Sequence, residues 1–85
     1  MAKFVIESPH TDEECLKALE EMAEMGLIDK YVFGCKFGEH NAWAYVEADS
    51  AEEAVEDNVP SFLTDEAIAH EVGKFTLEEI KEAHQ

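Results

Sequence analysis

Apolar and polar positions alternate with period two in four stretches of this chain, which predicts four strands. Lys3 to Ser8 is the first, with Phe4 and Ile6 on one face and Val5 and Glu7 on the other. Pro9-His10 breaks it. Lys30 to Phe37 is the second, with Tyr31, Phe33, Cys35 and Phe37 sharing a face. Ala42 to Ala48 is the third, alternating Trp43, Tyr45 and Glu47 with Ala44 and Val46. Ala67 to Phe75 is the fourth, with Ile68, His70 and Val72 in phase. Gly38-Glu39-His40-Asn41 joins the second and third stretches and reads as a hairpin turn.

Between these stretches the period changes to that of a helix. Cys15, Leu16, Leu19, Met22 and Ala23 fall on one flank, and Gly26 ends the run. Three capping boxes mark helix starts, a side chain at each end satisfying a free backbone N–H. They are Thr11…Glu14, Ser50…Glu53 and Thr76…Glu79. The second opens a short helix that Asn58 and Pro60 close, before a loop over Ser61 to Asp65. The third opens a terminal helix to about Ala83.

The elements therefore run strand, helix, strand, strand, helix, strand, with one helix added. This matches the ferredoxin-like β-α-β-β-α-β pattern, an α+β fold with an antiparallel four-stranded sheet and helices on one face. By analogy with that fold the expected strand order is fourth, first, third, second. Phe4, Ile6, Phe33, Cys35, Ala44, Val46, Ile68 and Val72 are then expected beneath the helices. Val5, Glu7, Val32, Lys36, Trp43, Tyr45, Glu47, Ala69 and Glu71 are expected on the open face. Trp43 and Tyr45 there call for a partner, and a second copy of the same sheet is the expected one.

Eighty-five residues read as a single domain, 1–85, with a core small enough that dimerisation is a common remedy. Twenty-one acidic against six basic side chains give a net charge of −15. Phosphate contacts need Lys and Arg, so nucleic acid and anionic membranes are disfavoured, whereas cations and basic partners are compatible. No apolar run approaches a membrane span, and the start Met1-Ala2-Lys3-Phe4-Val5-Ile6-Glu7 is charged too early for a signal peptide. The expected compartment is the cytoplasm, with both cysteines as thiols.

The chain resembles the small dimeric α+β-barrel proteins of the ferredoxin-like type. It also looks like a group of short bacterial and archaeal proteins of unassigned activity. That second likeness rests on Ser8-Pro9-His10-Thr11…Glu14-Cys15, Gly34-Cys35…Gly38-Glu39-His40 and Lys74-Phe75-Thr76…Glu79-Ile80. The resemblance implies the fold. The wider barrel group includes monooxygenases, isomerases and stress- or metal-responsive proteins, and no motif here selects among them.

Four residues carry the strongest chemistry. His10-x4-Cys15 and Cys35-x4-His40 are mirror-image spacings, and the expected topology brings all four to one end of the sheet. Two thiolates and two imidazoles suit tetrahedral zinc, and also copper or nickel. The first and second strands are expected about 10 Å apart, since the third intervenes, with His10 and His40 on mobile connections that could narrow the gap. The compact C-x2-C hook of zinc fingers is missing, and each residue has a plainer reading: Cys35 and Cys15 as core thiols, His10 and His40 as loop residues.

Other candidates are weaker. Cys15 at a helix N-terminus reads as a reactive thiol, though Asp12, Glu13 and Glu14 oppose thiolate formation. His70 reads as a partly buried histidine or as a general base in a pocket between sheet and helices, with Tyr45 beside a small organic substrate. Glu7, Glu47 and Glu71 are expected together on the open face, either solvated, ion-paired with Lys3 or Lys36, holding a hard cation, or acting as acid and base. The leading expectation is a dimeric binding or sensing protein with a transition-metal or thiol site. The alternatives are a small dimeric-barrel enzyme and an interaction module without chemistry.

Overall fold

A computed structural model describes residues 1–84. β1 (Ala2–Pro9) lies between β3 (Asn41–Ala48) and β4 (Ile68–Val72), and β2 (Tyr31–Phe33) pairs with the outer side of β3. The order is β2-β3-β1-β4, every pair is antiparallel, and the sheet is open. α1 (Cys15–Glu24) and α2 (Ala51–Asn58) contribute Ala18, Met22 and Ala54 to the core on one face. α3 (Leu77–Ala83) follows β4. No helix is long and apolar enough among the described residues to cross a membrane.

The period-two pattern decides the core. Phe4, Ile6, Ser8 and His10 of β1 and its extension are buried, and so are Ala42, Ala44, Val46 and Ala48 of β3. Small β3 residues leave room for Met22, Leu27, Val59 and Leu63 above them. Ile6 and Met22 are fully buried, each contributing about 1.5–3 kcal/mol relative to exposure. Tyr31 donates its hydroxyl to the Asn58 carbonyl, and the Asn58 side-chain amide donates to Ala54, tying β2 to the end of α2. That burial pushes the Tyr31 phenol up to about 12.

All three capping signals act, with different outcomes. Ser50 accepts from the Glu53 N–H and starts α2, and Thr76 and Glu79 form the complete reciprocal pair at α3. Thr11 and Glu14 also exchange their two bonds, at 2.8 and 3.2 Å, but around a turn; regular helix begins only at Cys15. α1 buries Ala18 and Met22 and leaves Leu16 and Ala23 exposed, so its buried stripe is rotated from the expected one.

Two strand expectations are corrected. The second strand stops at Phe33, and Cys35–Phe37 is a 3₁₀ turn with Phe37 in solvent. Gly34 is the reason. A Cβ there would lie 2.7 Å from the Glu39 carbonyl oxygen, so only glycine lets the chain turn back this tightly. The fourth strand is shorter than Ala67–Phe75 and has the opposite phase. Pairing of Val5 with His70 and Glu7 with Ile68 puts Ile68, His70 and Val72 on the open face, while Ala69 and Glu71 share the side of Ile6 and Phe4. Glu71 therefore does not join Glu7 and Glu47.

Candidate metal centre

The β1–β3 ladder builds the site. One step beyond the pair Pro9–Asn41 the same register sets His10 opposite His40, and the His10 N–H donates to the His40 carbonyl at 3.1 Å. His40 is thus at the foot of β3, directly beside β1, and the two rings lie well inside the roughly 10 Å that separates the first and second strands: their centroids are 6.0 Å apart in an edge-on arrangement. Both rings lie in phase with Ile6 and Ala44, on the helix-covered side.

Cys35 reaches the same place from the other flank of β3. The Gly34 carbonyl accepts from the Phe37 and Glu39 N–H groups at 2.9 and 3.1 Å, and the Gly34 N–H donates to Asn41 at 3.0 Å. Gly38, with φ of +91°, closes the turn in a conformation that L side chains rarely adopt. The Cys35 thiol then sits 2.8 Å from His10 Nε2. His10, Cys35 and His40 offer donor atoms that all lie within 4.8 Å of one another, and the three could hold a metal ion.

Each imidazole has an oxygen behind it. His10 is 7 % exposed, and its Nδ1–H donates to the Ser8 carbonyl at 3.4 Å, which leaves Nε2 as the acceptor facing the thiol. His40 Nε2 lies 3.8 Å from an Asp12 carboxylate oxygen, while His40 Nδ1 is buried with no hydrogen-bond partner among the described residues. Burial pushes the Cys35 thiol up, and the adjacent Cys15 thiol and the Asp12 carboxylate push it further in the same direction.

Cys15 neighbours Cys35 but falls outside the close three-ligand group; both cysteines are free thiols. Of the expected four residues, three therefore lie close enough to share an ion, with the Cys15 thiol beside them. His70 is not between sheet and helices. It is exposed on the open face, in a row with Val5 and the equally exposed Tyr45. The groove between α2 and β4, lined by Val55, Thr64, Ala67 and Ala69, contains no histidine, cysteine or tyrosine. Asp12 and the Ser8 carbonyl were not foreseen as supports. The spacing of Asp12, two residues beyond His10, was the only trace of them in the sequence.

No protein-family model, no curated protein and no solved structure matches this chain.

Proposed function

We propose that this protein binds a transition-metal ion, with zinc, copper and nickel as the chemically suited ions, through His10, Cys35 and His40. The observation that carries this reading is the orientation of the two imidazoles. Metal-bound histidine typically donates its outer N–H to an oxygen, which fixes the tautomer and aims the other nitrogen at the ion. Here the outer nitrogens of His10 and His40 face Ser8 O and Asp12, and the inner ones face Cys35 or have no partner. The S–H···Nε2 bond supports an ion between these two atoms, where it would replace the thiol proton. Bonds of about 2.0 and 2.3 Å at a tetrahedral angle would open the 2.8 Å contact to about 3.5 Å.

Two imidazoles and one thiolate leave a fourth position for water or an exogenous ligand, with the Cys15 thiol beside it. The acidic chain favours cation capture. This supports a binding or sensing role. The order β2-β3-β1-β4 with α1 and α2 on one face likewise supports a ferredoxin-like architecture for the domain.

Titration with cobalt(II), followed by competition with zinc, tests the reading. One equivalent binds with thiolate-to-cobalt absorption. Cys35→Ser abolishes the absorption, His40→Gln weakens binding at least about 100-fold, Asp12→Asn weakens it about 10-fold, and Cys15→Ser retains the site. Circular dichroism of each variant separates ligand loss from unfolding. Absence of binding in the folded parent, or affinity indifferent to Cys35→Ser, refutes it.

A further inference from the structure

Two apolar surfaces have no partner among the described residues. One is the open sheet face, where Val32, Tyr45 and Ile68 are 66, 56 and 50 % exposed. The other is the C-terminal arm after β4, where Phe75 and Leu77 are 63 and 69 % exposed and every described residue from His70 onward is exposed. α3 has a complete capping box yet is only seven residues long, and a helix that short is not stable without a surface to pack on.

The dimensions measure what is missing. The chain exposes 6052 Å², whereas a compact monomer of its mass exposes about 5,100 Å². Its radius of gyration is 14.6 Å against about 12 Å for a compact chain of this length. The excess area, about 1,000 Å², exceeds the roughly 800 Å² that each partner buries in a standard interface.

We infer that the partner is a second copy of this chain, each copy laying its C-terminal arm across the open sheet face of the other. Each copy offers one arm and one face, so a twofold pair satisfies both and leaves neither over. The arm has the reach. Its helix is about 10 Å long after about 13 Å of extended chain, and a four-stranded sheet is about 15 Å across. Charge permits it as well. On the open face Lys3 lies opposite Glu47 in register, and Lys30, bordering the groove of Val5, Val32, Trp43 and Tyr45, offsets Glu7, so this side adds little to the repulsion between two copies of charge −15. On the arm, Glu79 and Glu82 border the apolar patch of Phe75, Ile80 and Ala83 and meet that lysine at the rim.

Sedimentation equilibrium of the full chain, with chelator present so that the metal reading is not involved, tests the inference. The parent sediments at twice its 9.6 kDa mass. Leu77→Asp with Ile80→Asp on the arm, and separately Tyr45→Asp on the face, each weaken association at least 100-fold. These side chains are exposed, so each variant keeps a cooperative urea transition, and its far-UV circular dichroism loses no more than the helical signal of α3. A parent that is monomeric at about 200 µM overturns the inference, as does an arm variant that associates as tightly as the parent.

Discussion

β3 and β4 flank the same strand, β1, with the same antiparallel hydrogen bonding, yet they bury different things. β3 places Ala42, Ala44, Val46 and Ala48 beneath the helices, and its extension adds His40 to the group of His10 and Cys35. β4 buries no residue fully, and its branched apolar residues, Ile68 and Val72, point to the uncovered face. Backbone pairing is thus common to both neighbours, while side-chain phase relative to the helices separates a strand that builds the core and the site from one that closes an edge and launches an arm.

The sharpest way to break this comparison is to truncate on both sides of it. Ile6, buried between Ala44 and Ala69, should cost about 2–5 kcal/mol when changed to alanine, since both transfer free energy and packing are lost. Ile68→Ala on β4 should cost less than about 1 kcal/mol. Urea unfolding in the Leu77→Asp, Ile80→Asp background removes any contribution from association. Equal costs would mean that β4 belongs to the core after all.

The pairing of β2 to the core gives a pH test. The Tyr31 phenol, raised from 10.0 to about 12 by burial, holds its proton more tightly folded than unfolded. Its contribution is therefore complete below pH 10 and lost as pH rises to 12, a loss of up to about 2.5 kcal/mol. Tyr31→Phe should be less stable than the parent at pH 8 but should lack this part of the alkaline decline. A parent and variant with parallel stability curves from pH 9 to 12 would place the phenol in water.

What could be read in advance follows the same division. Alternation in Lys3–Ser8 and Ala42–Ala48 gave the correct faces because those strands have helices on one side only, and burial enforces the pattern. The fourth strand misled because its apolar residues, Ile68 and Val72, were assigned to the core by composition, whereas register against β1 assigns them to the other side. Cys35 misled because the alternation of Tyr31, Phe33, Cys35 and Phe37 continues through Gly34, where the backbone leaves the sheet. The His10–His40 pairing needed only a register, but residues at strand ends look like loop residues when the ladder is unknown.

The glycines test the backbone side of this account. Gly34→Ala sets a Cβ against the Glu39 carbonyl and near Trp43, and should cost about 1–3 kcal/mol as well as displacing Cys35 from the cobalt site. Gly73, between β4 and the arm, faces only the Phe75 ring at 3.4 Å. Gly73→Ala should stay within about 0.5 kcal/mol of the parent, because no backbone atom lies in its way and the unfolded chain loses freedom. Thermal melts of the two variants, with cobalt absorption of the first, distinguish them.

The smallest effect bears most directly on what a local signal can do. Ser50 and Thr76 each accept from an N–H three residues on, at 3.1 and 3.2 Å, and removing either oxygen frees a helix-end donor. α2 is packed through Ala54 and Asn58, so fraying it uncovers core. Ser50→Ala should therefore cost about 1 kcal/mol of global stability. α3 buries no residue, so Thr76→Ala should leave urea unfolding of the monomer unchanged within about 0.3 kcal/mol. Its effect should appear instead as faster amide exchange over residues 77–83 and as weaker association. A full cost at Thr76 in the monomer would mean that the arm already folds onto its own sheet.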